Sequence, residues 1–292
     1  MKRMALLLPV LLFPFPATGQ APASNKLTHN QFSDWLFHHN AGWKSIGLNK
    51  LAKAEYCFKE AIKVAQIEVE TDPRLMARSY GDLAWVLHLE GRDAEAEPLA
   101  RWALTVREKT FGAETVPVAQ TMYTLASIDL NLGQIDDAES LLTRTLSVYQ
   151  KTAGPHAIAT ADALDDLATV LAERRQYAKA SRLFHQALTI FAEVDTEHKG
   201  QMVPLDGLAR IEIAEGRLED AERHLDRLIA LLGKGSKLVP EFTARVLSRK
   251  AEIYRKTGRP EQAKKAEDEA KSLRGEQPSS VTMPGHAAPG NS

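Results

Sequence analysis

GQIDDAESLL, Gly133 to Leu142, places two adjacent aspartates and a glutamate between a glycine and a pair of leucines. Carboxylates crowded onto one turn are the raw material of a metal site or an acid/base pair, so the reading depends on whether the stretch is unique. It is not. Aligned on Ala138 it has partners NKLAKAEYCF (49–58), GRDAEAEPLA (91–100), RQYAKASRLF (175–184), GRLEDAERHL (216–225) and GRPEQAKKAE (258–267). The shared alanines, Ala54, Ala96, Ala138, Ala180, Ala221 and Ala263, are separated by 42, 42, 42, 41 and 42 residues. An internal period of this length is the mark of a repeat architecture.

A second small position keeps the same step twelve residues earlier, at Gly42, Ala84, Ala126, Ala168, Ala209 and Ala251. Within each unit apolar residues recur at three- and four-residue intervals on both sides of a short turn, as two amphipathic helices require. Each unit is a predicted helical hairpin, and the small residues let the two helix axes approach closely. Gly91, Gly133, Gly216 and Gly258 fall where the chain reverses, a place that favours positive φ. Asn49 substitutes in the first unit, while Arg175 in the fourth predicts a turn that is slightly strained or differently shaped. Judged against their relatives, Asp136, Asp137 and Glu139 open a second helix, where acidic residues suit the helix dipole.

On this period and these small-residue positions the chain resembles the tetratricopeptide repeats, with six copies over residues 30–273. The units are longer than the family's ordinary repeat, and FGAETVPVAQTMYTLA and AGPHAIATADALDDLA are similar to the long repeats of the kinesin light chain type. The resemblance implies an all-α fold, a right-handed superhelical solenoid of six helical hairpins, with a concave face lined mainly by first helices. It also implies a protein or peptide partner held in that groove. The inward positions it assigns are His39, Trp43, Asp82, Trp85, His88, Tyr123, Asn131, Asp165, Asp166, Asp206, Arg210 and Arg249. Trp43 and Trp85 share one register and form an aromatic step, in the groove or in the core. Asp82, Asp165, Asp166 and Asp206 make the middle of the groove acidic.

Composition agrees with a helical array. Hydrophobic residues make up 44%, charged residues 26% and aromatic residues 7%, and the formal net charge is -1 with no block of five basic residues. That excludes the electrostatic footprint of a nucleic-acid binder. Residues 1–23 read as an export signal: Lys2 and Arg3, an apolar run from Met4 to Phe13, then prolines and small residues. The run is too short and too broken by proline to span a bilayer comfortably. The expected localisation is therefore periplasmic or secreted with no membrane span after cleavage, an uncleaved N-terminal anchor being the lesser alternative. A short spacer follows at 24–29, and 274–292, rich in proline, serine and glycine, reads as a disordered tail. In the sixth unit Lys250 and Glu267 stand at positions that are apolar elsewhere, as a terminal cap requires.

No catalytic or metal-ligating constellation emerges. The nine histidines show no His-Glu-x-x-His or similar spacing, and the single cysteine, Cys57, reads as packing. The reading is a non-catalytic interaction scaffold without a cofactor. Its alternative is an accessory or small-ligand-sensing subunit with a pocket at Trp43 and Trp85.

Overall fold

The computed structural model describes residues 29–66, 73–194, 199–233 and 240–275. The export signal, the spacer as far as residue 28 and the tail from residue 276 lie outside the described residues. Twelve α-helices follow in pairs: α1 (His29–Gly47) and α2 (Leu51–Gln66), α3 (Pro73–Leu89) and α4 (Asp93–Phe111), α5 (Val116–Asn131) and α6 (Ile135–Thr152). The series continues with α7 (Ile158–Glu173) and α8 (Tyr177–Val194), α9 (Met202–Ala214) and α10 (Leu218–Leu232), α11 (Pro240–Lys256) and α12 (Pro260–Gly275). A 3-10 turn, Lys199–Gln201, leads into α9. The fold is the predicted all-α solenoid of six hairpins.

The turns inside the hairpins are six versions of one device. Asn49, Gly91, Gly133, Arg175, Gly216 and Gly258 all take positive φ, between 54° and 78°. At each, the next residue donates its N–H back across the helix end: Lys50 to Ser45, Arg92 to Leu87, Gln134 to Asp129, Gln176 to Leu171, Arg217 to Glu212 and Arg259 to Tyr254, all at 2.8 Å. This is the Schellman closure, which satisfies carbonyls that a helix end leaves open. The turn at Arg175 is therefore not differently shaped. It keeps the common hydrogen bonds, and the side chain's left-handed backbone carries a cost of about 1 kcal/mol that glycine would avoid.

Packing follows the small residues. Ala54, Ala96, Ala138, Ala180 and Ala221 have no solvent exposure, and neither do Ala84, Ala126, Ala168, Ala209 and Ala251. Gly42 is the exception that explains itself: a Cβ there would lie 2.6 Å from the ring of Phe58. The glycine therefore leaves the room that the Phe58 ring occupies. One apolar core runs from Ala54 in α2 to Ile253 in α11, with satellite clusters around Trp35 at one end and Tyr254 at the other.

The direction of curvature follows from which helices meet across units. The first helices α3 and α5 touch, as do α7 and α9, whereas no pair of successive second helices packs comparably among the described residues. First helices are thus crowded on the inside of the bend and second helices splay outside, so the concave face belongs to α1, α3, α5, α7, α9 and α11. The far end is capped as expected. Of α12 only Ala263, Ala266 and Ala270 are buried, Lys250 pairs with Asp226, and Glu267 meets Arg255 at 2.6 Å.

Candidate interaction surface

The three carboxylates of the opening stretch are tied to neighbouring units. Asp136 and Glu139 both face Arg174 of the next hairpin, the latter at 3.0 Å, and Asp137 lies 3.6 Å from Arg101 of the preceding one. These solvent-accessible pairs are worth at most about 1 kcal/mol each. They join neighbouring hairpins.

A second set of polar contacts joins successive first helices, and it decides where most of the inward residues go. His39 Nδ1 lies 3.1 Å from Asp82, 43 residues on, and Asp206 accepts a hydrogen bond from Arg249, also 43 residues on. Tyr123 lies against Asp166, Asp162 and Asp165, and burial first, then those charges, hold its hydroxyl well above the ordinary tyrosine pKa. At the first of these contacts the ring of His39 is also stacked on Trp35 at 4.7 Å, and Trp35 Nε1 donates to Ser79 at 2.9 Å. Next to them Arg107 donates to the Thr121 hydroxyl at 2.7 Å, and burial lowers its pKa against the opposing pull of Asp82.

Five of the residues assigned to the groove are buried, which for Trp85 is the core alternative of its reading. His39, Asp82, Trp85, Tyr123 and Asp165 are buried, with 1%, 9%, 7%, 8% and 1% of their surfaces exposed. For His39, Asp82 and Tyr123 the reason is geometric: their side chains meet groups of the adjoining hairpin. Trp85 packs beside His88 at 5.4 Å and belongs to the interior. Trp43, half-buried, sets its edge against Phe58 at 6.1 Å. His88 Nδ1 contacts Asp93 at 2.6 Å, whose second oxygen accepts from Asn131 at 3.0 Å, so three elements are locked together at the second junction.

What remains accessible on the first helices is a more polar surface. Trp43, His88, Asp166, Asp206 and Arg249 are half-buried, and Asn131 and Arg210 are exposed. With Asp206 held by Arg249 and Asp82 and Asp165 buried, the acidic middle contracts to the neighbourhood of Asp166. Ser127 and Thr169, at the register of Trp43 and Trp85, present short hydroxyls and are half-buried too. Cys57 is buried and burial pushes its thiol pKa up, which suits packing and not nucleophilic attack.

Between the fourth and fifth hairpins lies a pocket of about 250 Å³, lined by Thr169, Ala172, Glu173, Arg175, Tyr177, Phe184, Gly207, Arg210 and Ile211. Arg210 reaches across its mouth to Glu173 at 2.6 Å. Of the pocket's lining, Thr169 and Arg210 stand at inward positions legible in the sequence. Arg175 stood out solely as a misfit in the series of turn glycines.

Sequence profiles of the tetratricopeptide repeat match residues 117–193 and 167–234, and two further variants of that repeat match 76–115 and 244–276. Together they span more than half of the sequence. The chain belongs to the tetratricopeptide repeat family. Among solved structures this repeat protein is similar to the kinesin light chain nearly identical TPR-like repeats of Podosopora anserina, at 21% identity over 72% of this chain and 99% of that one, with a TM-score of 0.58. It is also similar to BtubC (BKLC) from P. vanneervenii, at 18% identity over 82% and 96%, with a TM-score of 0.65. A Rap protein complexed with Competence and Sporulation Factor matches at 15% identity over 84% and 77%, with a TM-score of 0.61. No curated protein sequence matches it. At these identities the likeness is one of fold, a tetratricopeptide-repeat fold that resembles the kinesin light chain type. Among its described residues, no helix of this tetratricopeptide-repeat chain is long and apolar enough to cross a membrane.

Proposed function

We propose that the chain is a non-catalytic scaffold that holds a partner protein or peptide along its concave face. The carrying observation is the crowding of first helices on the inside of the bend, which lines up chemically different side chains, one hairpin after another, at a constant register. A partner in extended form meets Trp43, then Ser127, Thr169 and Arg210 in turn, so order along the groove becomes order along the partner. The Rap relative solved with Competence and Sporulation Factor is a precedent for the fold in complex with a separate factor. The export signal read at residues 1–23 supports an envelope or secreted setting.

Photo-crosslinking residues placed singly at Ser127 and Thr169, and as controls at Gln150 and Gln186 on exposed faces of second helices, test the groove. The reading expects adducts from the first two positions. Adducts confined to the controls would replace the concave face by the convex one. Export is tested separately: the N-terminal sequence of the protein recovered from its own cell should begin between residues 18 and 24, and recovery with Met1 or Lys2 intact would sink that part.

A further inference from the structure

Glu212 in α9 and His224 in α10 meet on the outer side of the fifth hairpin. The carboxylate is 3% exposed. Its Oε2 lies 2.7 Å from His224 Nδ1, and its Oε1 accepts from Arg217 at 3.3 Å. Because an ionised carboxylate only accepts, Nδ1 carries the proton and donates it. That contact fixes the tautomer and leaves the Nε2 lone pair of His224 on the other edge of the ring. His185, on α8 of the preceding hairpin, is exposed and brings its ring to 6.3 Å from that of His224, centre to centre. Neither ring nitrogen of His185 has a hydrogen-bond or ion-pair partner among the described residues.

A sister junction shows what is unusual here. His185 stands at the register of Arg101, Glu212 at that of Asp129 and His224 at that of Leu141. Between the second and third hairpins Arg101 reaches the buried Asp129 at 3.4 Å. Between the fourth and fifth, two imidazoles replace that guanidinium and a leucine. An imidazole that donates one nitrogen to a carboxylate and keeps the other free is oriented as a metal ligand, since the carboxylate holds the ring and raises its basicity. Two rings sharing one ion at about 2.0 to 2.1 Å per nitrogen have centres roughly 5 to 6 Å apart, so a small rotation of the exposed His185 side chain closes the separation. Desolvation, and then His224, lower the His185 pKa, which keeps that ring neutral and able to bind at neutral pH. The nearest cation, Arg217, is held by Glu215 at 2.6 Å and Asp220 at 3.1 Å. Among the described residues no three side chains form a complete cage, so water supplies the remaining ligands.

We propose that His185 and His224 together bind one divalent transition ion of the zinc and copper class, with Glu212 orienting His224. Imidazole nitrogens suit these ions, whereas magnesium and calcium take oxygen ligands. Bound there, the ion ties α8 to α10 across the outer side of the bend, where second helices otherwise splay. The site faces away from the groove, so absence of crosslinks at Ser127 and Thr169 leaves it standing.

Calorimetric titration of the untagged chain with zinc chloride, with magnesium chloride as control, tests the site. Nuclear magnetic resonance of the isotope-labelled histidine rings reads which nitrogens take part. One saturable zinc site is expected, with the largest shifts at His185 and at His224 Nε2, and a melting temperature that rises with zinc. His185→Ala, at an exposed position, should keep the melting temperature of the zinc-free chain while zinc affinity falls about tenfold or more, as loss of one of two protein ligands implies. Glu212→Gln keeps the shape of the side chain and removes its charge. Affinity should then fall about 10- to 100-fold, and the His224 ring should lose its single tautomer even without zinc, which a loss of packing alone does not produce. No saturable binding at millimolar zinc, equal binding of magnesium, shifts centred on other histidines, or unchanged affinity in either variant would overturn the proposal.

Discussion

Gly207 and Asp129 show two different ways in which a single residue can be held by its surroundings. At Gly207 the constraint is volume. Alanine there would place its Cβ 2.3 Å from Phe184, closer than van der Waals contact allows, and Gly207→Ala is expected to cost about 1 to 3 kcal/mol in a denaturant titration. Adding Phe184→Leu should recover part of that loss, because the smaller side chain vacates the disputed space. At Asp129 the constraint is charge. The side chain has no solvent exposure, and Arg101 approaches both carboxylate oxygens at 3.4 Å. Burial, only partly opposed by Arg101, raises its pKa from 3.8 to about 6. The folded state therefore binds this proton more tightly than the unfolded chain does. The contribution to stability is complete below pH 3.8 and is lost as pH rises through about 6. On this account the wild type gives up about 3 kcal/mol across that window. Asp129→Asn should flatten stability over the same range and be at least as stable as the wild type near neutral pH. A denaturation midpoint that followed the same pH curve in both proteins would show that another group is responsible.

Among the elements, the hairpin turns were legible in the sequence and the first-helix contacts were not. A positive φ after a helix is a local steric demand that glycine meets at no cost, so four glycines at one register announced the turns. Gly216→Ala tests that demand apart from crowding, since nothing lies within 4 Å of the added methyl while φ stays at 78°. It should cost about 1 kcal/mol, read as a lowered melting temperature with unchanged helical signal. The fate of His39, Asp82, Tyr123 and Asp165 depended instead on how one hairpin leans on the next, which no pattern within a unit records. Yet a trace was present. His39 and Asp82, like Asp206 and Arg249, stand 43 residues apart, one more than the usual repeat period. Helical side chains lean toward the N-terminus, so a given patch is covered by a residue about one position further along. Complementary pairs at period plus one are therefore the sign of a first-helix ladder. Arg175 was legible as an anomaly, but the pocket beside it requires Phe184 and Gly207, residues that sequence places in different hairpins.

For the whole molecule, stability should be distributed unevenly, because each hairpin is held by its own two helices and its immediate neighbours. The fourth hairpin has a neighbour on each side, and its second helix α8 buries Phe184, Leu188, Ile190 and Phe191 besides two alanines. The sixth has one neighbour, and α12 buries three alanines and no larger side chain. Its ion pairs, Glu267 with Arg255 and Glu222 with Arg259 at 2.6 Å each, lie near the surface and offset little of that difference. Opening of α12 should thus need far less free energy than opening of α8, so the end frays while the middle holds. Hydrogen–deuterium exchange followed by mass spectrometry is the direct reading: peptides from 260–275 should exchange first, and those from α5 through α8 should exchange last. Equal protection in α12 and α8 under conditions that favour folding would mean that all six hairpins open together. Nearest-neighbour coupling would then be too strong for the terminal pair to fray, and the chain would behave as one cooperative unit despite its repeated construction.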